Sequence, residues 1–330
     1  MTTGRPGLPG LLQGLLLAAA CLPVAALAAS PDYPRRTIRM IVAFTPGGGT
    51  DITGRIAAQA IAEGLGQPVV VDNRPGSGGI IGTQMAARAL PDGYTLITGG
   101  TGSHAINPAL YKDIPYDPVR DFAPVTLVAS TPYLMVVTNG LPVKSVREFV
   151  ALLKSDPSRI NMASSGSGGM PHLAGELFQL MAGVKMTHVP YKGTGAVFPD
   201  LISGQVQVTF GDLIAAFPHV KGGRLRALAI TSPKRVASLP DVPTVAEAGL
   251  PGYEAVGWFG VFAPARTPVP IVDALQGAIA RFLERPDARE RFAGLGADVV
   301  ASRPAEFAAV LKADIARWAR VVKESGAKVE

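Results

Sequence analysis

Phe44-Thr45-Pro46-Gly47-Gly48-Gly49-Thr50-Asp51 lies between a β-branched run and a helical pattern, and Asn73-Arg74-Pro75-Gly76-Ser77-Gly78-Gly79 repeats the arrangement further along the chain. A strand that ends in glycines and runs into a helix leaves main-chain N–H groups free at the helix N-terminus. The partial positive charge there favours an anion. Residues 37–44, 69–72 and 95–98 read as strands, and residues 52–65 and 80–90 carry apolar side chains at helical spacing. Gly66 and Pro91-Asp92-Gly93 supply the stops. This alternation is that of a parallel sheet flanked by helices.

A second α/β series begins near Tyr133, with strands predicted at residues 134–137, 161–163, 187–189, 207–210 and 225–230. Its first helix is announced by Ser145-Val146-Arg147-Glu148, where the serine caps the N–H three residues on and the glutamate reaches back. Thr244-Val245-Ala246-Glu247 repeats the device, and Gly249 suits a helix exit. Two long apolar segments with prolines, residues 122–137 and 253–264, bracket this series and read as two crossings between lobes. Helices at residues 271–283 and 304–325 then return to the first lobe. The expected fold class is α/β and two-lobed, each lobe a mainly parallel sheet flanked by helices. The expected division is residues 29–130 with 258–330 for lobe 1 and residues 131–257 for lobe 2. A chain that crosses twice makes a hinge and a cleft.

Residues 1–28 have the layout of a cleaved export leader. A short start carrying only Arg5 leads into an apolar run over residues 11–27, interrupted by Gln13, Gly14 and Pro23. Ala26-Leu27-Ala28 then offers small residues to a signal peptidase. A membrane anchor is the competing reading, and Pro23 with the small-residue exit favours cleavage. The single cysteine, Cys21, falls inside the leader, so a mature chain beginning near Ala29 forms no disulfide. Ala18-Ala19-Ala20-Cys21 lacks the leucine that a lipoprotein box carries three residues before its cysteine. What remains is long enough for two cores, since a single core stops growing at about 250–300 residues. With 48% hydrophobic and 17% charged residues the chain is globular. The net charge of +6 is spread over single Lys and Arg residues without a basic run or interleaved aromatics, which argues against a nucleic-acid partner.

Tyr33-Pro34, Pro46-Gly47-Gly48 with Asp51, Asn73 through Gly79, Pro91-Asp92-Gly93-Tyr94-Thr95-Leu96, Val189-Pro190-Tyr191-Lys192-Gly193, and Leu239-Pro240-Asp241-Val242-Pro243-Thr244 with Glu247-Ala248-Gly249 occur in this order. Together they resemble the Bug-type substrate-binding proteins of tripartite tricarboxylate transporters, over essentially all of the mature chain. The resemblance implies a periplasmic, Venus-flytrap receptor of the type II-like class. Such a receptor closes on a small organic carboxylate and delivers it to membrane transport subunits. It also suggests that the first loop holds ordered water that bridges to the ligand carboxylate. The expected receptor is a monomer without a cofactor.

The candidate binding residues follow from the loops. In the first, Gly47 and Gly48 let the backbone approach a ligand, and Thr45 and Thr50 offer hydroxyls. Asp51 admits two readings, ligand contact or helix N-cap, because a carboxylate there repels an anion. Ser77, Gly78 and Gly79 form either a second anion seat or a bare turn, and Thr101 belongs to a third loop after residues 95–98. From the other lobe, Ser165 and Ser167 offer hydroxyls, and His172 donates to the ligand or caps its helix, with capping favoured. Tyr191 and Lys192 follow the next strand, although the lysine also reads as a solvated charge. Asp212 receives an ammonium or hydroxyl from the ligand, or caps a helix. Arg74 is the one arginine in these glycine-rich loops, so the chemistry rests on amides, hydroxyls and water rather than a guanidinium clamp.

Enzyme classes fare poorly. Gly100-Thr101-Gly102-Ser103-His104-Ala105 fits a loose dinucleotide pattern, but the acidic partner Asp121 sits in a proline-rich segment instead of at a strand end. The sequence has neither a Gly-Lys-Ser or Gly-Lys-Thr phosphate loop nor a Gly-x-Ser-x-Gly elbow. His104, His172, His188 and His219 are not spaced as a metal-binding pair. A ligand-dependent partner of a membrane sensor is the alternative receptor role.

Overall fold

Strand β1 (Ile38–Val42) is apolar apart from Arg39 and buried along nearly its whole length, as a strand covered by helices on each side must be. It lies between β2 (Val69–Asn73) and β3 (Thr95–Gly100), parallel to both. The structure is a computed structural model that describes residues 1–4, 33–156, 160–325 and 327. The leader expected at residues 1–28, with Cys21, falls outside the described residues from position 5 onward. Helix α1 (Gly49–Leu65) follows β1 and ends where Gly66, at φ 71°, turns left-handed and donates its N–H to the Ala62 carbonyl. Helix α2 (Ile80–Ala87) follows β2, and a π-helical turn over Gly102–Ile106 leads from β3 into α3 (Asn107–Leu110).

The long strand β4 (Phe122–Thr138) serves both halves. From Phe122 to Pro132 it pairs with β9 (Val256–Pro264), and from Tyr133 onward with β7 (Val208–Asp212) and β8 (Leu225–Ile230). In the second half, β5 (Asn161–Ser164) runs parallel to β6 (Thr187–Pro190) and to β7. The strand order is β2-β1-β3-β9-β4-β7-β5-β6, with β10 (Asp298–Val299) beside β4. Each half is therefore a mixed sheet. The strands that carry the glycine loops are parallel, whereas β4 and β9 are antiparallel because one leaves the first half and the other returns to it. Parallel pairing puts the carboxyl ends of β1 and β3, and those of β5 and β7, on common edges.

Helices complete the layers. Helix α4 (Val146–Ser155) starts as its sequence predicts: Ser145 Oγ accepts from the Glu148 N–H at 3.2 Å, and the Glu148 carboxylate accepts from the Lys144 N–H at 2.6 Å. The Thr244–Glu247 pair also closes reciprocally, at 3.1 and 2.9 Å, yet no helix follows. There the backbone bridges to β8 through Ile230, and Gly249 at φ 122° stops the chain after one turn. One core lies between α1, α8 (Val269–Leu283) and α9 (Pro286–Gly294), around Ile56, Ile61, Leu275, Ile279 and Phe292. A second, around Val197, Leu201 and Leu213, lies under α6 (Thr194–Ser203) and α7 (Leu213–Lys221). Helix α5 (Met170–Ala182) and the C-terminal α10 (Pro304–Ser325) share the largest cluster, which includes Phe178, Phe307 and Trp318 and joins the halves.

Candidate functional site

The N-termini of four helices meet at one cavity between the halves. Its walls are Phe44, Gly48, Gly49, Thr50 and Gly100 to Ser103 from the first half, and Ser165, Gly169, Met170, Pro171, Thr194 and Asp212 from the second. Tyr133 of β4 and Phe259 of β9 close the sides. Gly48 is the N-cap of α1, Gly169 of α5 and Gly193 of α6, and none of these helix starts has a side-chain cap. The first turns leave their amides free to serve a ligand. No Lys, Arg or His lines the cavity, so what favours an anion there is the helix ends, each worth about half a charge, set against the Asp212 carboxylate on the wall.

Beside the cavity the halves meet largely at main-chain carbonyls. The Thr45 N–H donates to the Lys192 carbonyl at 3.2 Å, and the Tyr111 hydroxyl donates to the Ser167 carbonyl at 2.7 Å. A Cβ added at Gly78 would lie 2.4 Å from the Ser167 oxygen, and one at Gly195 would lie 2.0 Å from the Pro46 oxygen. Only glycine permits that approach. The cavity measures about 30 Å³, room for water but not for a carbon chain. Entry of a carbon chain requires the halves to part.

Asp51 is not the N-cap of α1 but its third residue, and it faces away from the cavity. Its Oδ2 accepts from the Gly47 N–H at 3.0 Å and from Arg55 Nε at 2.9 Å, while Oδ1 accepts from Asn73 Nδ2 at 2.9 Å. Burial works to raise its pKa, but the bonds from Arg55, Asn73 and Gly47 outweigh it and hold the carboxyl below its ordinary value. Asp51 thus ties the first glycine loop to the end of β2. Asn73, which also donates to the Phe44 carbonyl at 3.0 Å, completes the tie.

His172 repeats this device in the second half. It is the third residue of α5, and its Nδ1 accepts from the Gly168 N–H at 3.2 Å, one residue ahead of the N-cap Gly169. Its ring stacks on His188 with centroids 4.0 Å apart, and burial together with His188 lowers its pKa to about 3. The ring is therefore neutral at ordinary pH, and its 3.7 Å approach to Glu176 is no ion pair there.

Of the residues singled out by sequence, Gly48, Thr50, Thr101, Ser165 and Asp212 line the cavity. Thr45, Gly47, Asp51, Ser77, Gly78, Gly79, Ser167, His172, Tyr191 and Lys192 lie outside its walls. Ser77–Gly79 form a short 3-10 turn against Phe44 and Ser167, on the seam between the halves. The Tyr191 hydroxyl donates to Asp200 at 2.6 Å, and Lys192 contributes its carbonyl to the seam. Thr101 Oγ1 accepts from the Trp258 N–H at 2.9 Å and keeps its own hydrogen to donate. Asp212 caps α7, accepting from the Ala215 N–H at 2.9 Å, and still presents its carboxylate to the cavity. Sequence reasoning missed the apolar walls Phe44, Tyr133, Met170 and Phe259, because nothing local marks which aromatic faces a cleft. Thr194 carried the signal of a glycine-flanked helix start.

Ser103 on the cavity wall has its Oγ 2.9 Å from Nδ1 of His104, which lies behind the wall. His104 is fully buried, stacks on Phe262 at 4.2 Å, and has its pKa lowered by that burial to about 3. A base that weak leaves a serine hydroxyl protonated at neutral pH. Among the described residues no group of three or more His, Cys, Asp or Glu could hold a metal ion, and no helix is long and apolar enough to cross a membrane.

Comparison with known proteins agrees with this architecture. The chain is 39% identical to Protein BugT of Bordetella pertussis, over 93% of this chain and 94% of that protein. A solved R. palustris structure with adipate matches with a TM-score of 0.88 at 39% identity, covering 91% of this chain and all of the other. MatC from Rhodopseudomonas palustris with bound malate matches with a TM-score of 0.85 at 36% identity, covering 88% of this chain and all of the other. Residues 53–327 match the sequence profile of the tripartite tricarboxylate transporter family receptors, and the chain belongs to that family as a Bug-type member.

Proposed function

We propose that the protein is an exported receptor that closes its lobes on a small organic carboxylate and hands it to membrane transport subunits. The single observation that carries this reading is the convergence of three helix N-termini without side-chain caps, those of α1, α5 and α6, on a cavity without a cationic side chain. Such a site holds an anion by amides and hydroxyls, and it discriminates weakly between carbon skeletons. Adipate and malate in the two matching structures support the class of ligand. The lobes are residues 29–130 with 258–330 and residues 131–257, a division supported by the change of partners along β4 at Pro132 and Tyr133. Gly48, Gly49, Thr50, Thr101, Ser165 and Asp212 are the candidate contacts.

The receptor works as a monomer without a cofactor and performs no chemistry on its ligand. Contacts made only in the closed form drive closure, since a ligand shifts the equilibrium by its differential affinity for the two states. Export proceeds with cleavage near Ala28. Native mass spectrometry of protein released from the periplasm tests the proposal. A retained small carboxylate, returned chemically unchanged after incubation, is the expected result. A protein that retains none and gives no calorimetric response to di-, tri- and aromatic carboxylates would overturn it.

A further inference from the structure

Asp212 is an unusual wall for an anion site. It is fully buried at 2% exposure, sits at the carboxyl end of β7, and faces a cavity with no cation on its walls. The partial charge of α7 is already engaged by this carboxylate through the Ala215 N–H. From α6 the Thr194 hydroxyl faces it, from α1 the Gly49 amide, and from β4 the Tyr133 phenol, whose residue is its register partner. Burial, with Asp212 nearby, holds Tyr133 neutral, so it offers an O–H and no charge. Phe259 of β9 adds an apolar wall. A dicarboxylate enclosed here would bring the number of carboxylates to three, against helix ends worth about half a charge each. Two carboxylates brought together away from water share one proton because both cannot stay ionised.

We infer that Asp212 makes capture of a dicarboxylate proton-linked, one solvent proton being held between the Asp212 carboxyl and a ligand carboxylate when the lobes close. This rests on the carboxylate-receptor reading above. The proton enters from water and forms an O–H···O bridge, and no covalent bond within the ligand changes. With the lobes apart, water solvates Asp212 and the proton leaves. With the lobes together, burial raises its proton affinity, in the direction found for this carboxyl in the closed form. Asp212 is then a specificity residue: it accepts a ligand that brings a hydroxyl without a proton, and a second carboxylate only with one.

Calorimetry on the full chain stripped of ligand tests this. The probes are adipate and the ω-hydroxy monocarboxylate of the same chain length, titrated from about pH 6 to about pH 8 in buffers of different ionisation enthalpy. Dicarboxylate affinity should fall about tenfold per pH unit as pH rises, with one proton taken up per ligand, while the ω-hydroxy acid gives a flat profile. Asp212→Asn and Asp212→Ser both keep a capping side chain, and either should flatten the dicarboxylate profile and abolish the uptake. Dicarboxylate binding without proton uptake overturns the proposal, as does uptake that survives in both variants. Tight, pH-independent binding of an amino dicarboxylate alone would show that Asp212 pairs with an ammonium. If only monocarboxylates bind, this proposal fails while the receptor reading stands; if no carboxylate binds, both fail.

Discussion

Asp51, Glu148 and His172 solve one local problem in the same way. Each is the third residue of its helix, and each accepts from the amide just ahead of the N-cap: Gly47 at 3.0 Å, Lys144 at 2.6 Å and Gly168 at 3.2 Å. At the two cavity loops this lets glycine hold the N-cap, which leaves the cap site open to a ligand, while the loop is fastened from behind. Asp51→Ala leaves the Gly47 amide without its acceptor and Asn73 with the Phe44 carbonyl alone. Such a loss costs about 1–3 kcal/mol, and urea unfolding should show it as a lower midpoint at unchanged slope. Because the folded pKa of Asp51 is depressed, its contribution is complete above the unfolded value of about 3.9 and is lost as pH falls through the folded value. Neutral pH leaves it intact.

At the scale of elements, α5 and β6 are held together by two imidazoles that must stay neutral. His188 Nε2 lies 2.6 Å from Ser164 Oγ at the end of β5, and His172 holds the Gly168 amide. Burial lowers His188 to about 4 and, with His188 beside it, lowers His172 to about 3. An unfolded histidine protonates near 6.5, so folded and unfolded states bind protons differently below that pH. The stabilisation is full above about 6.5 and declines as pH falls towards about 3, by up to about 1.4 kcal/mol per pH unit for His172. Denaturation measured at stepped pH should show this decline. His172→Gln, which keeps an acceptor for Gly168, should lessen the slope; an unchanged slope would assign the effect to other groups such as His104.

At the scale of the whole molecule, the halves share an apolar core and, beside the cavity, a seam in which one half comes close to the backbone carbonyls of the other. Gly78 sits at φ 60° against the Ser167 carbonyl and the Tyr111 hydroxyl, so Gly78→Val adds backbone strain and a clash across the seam when the halves meet. Affinity for the bound carboxylate should fall at least about tenfold, a closure penalty of about 1.4 kcal/mol or more. Tyr111→Phe deletes the hydrogen bond to Ser167, worth about 0.5–1.5 kcal/mol, without touching the cavity. Ligand release measured by stopped flow should quicken about two- to tenfold, with the order of preference among ligands unchanged. An altered preference would place Tyr111 in the site.

Much of the molecule was legible in local signals. Alternating periodicity gave the strand and helix order, Ser145 and Glu148 marked α4, and Gly66 marked the end of α1, because these depend on neighbours a few residues away. The ordered motifs from Tyr33 to Gly249 identified the family. What only the tertiary structure decided depends on groups far apart in the chain: that β4 and β9 run antiparallel as outgoing and returning strands, and that Asp51 turns its back on the cavity. It also put Ser77–Gly79 on the seam and brought Asp212 to the start of α1. A glycine loop announces a free amide from sequence alone. Whether that amide meets a ligand, a carbonyl of the other half or a carboxylate of its own chain is set by packing across the cleft, which no local pattern encodes.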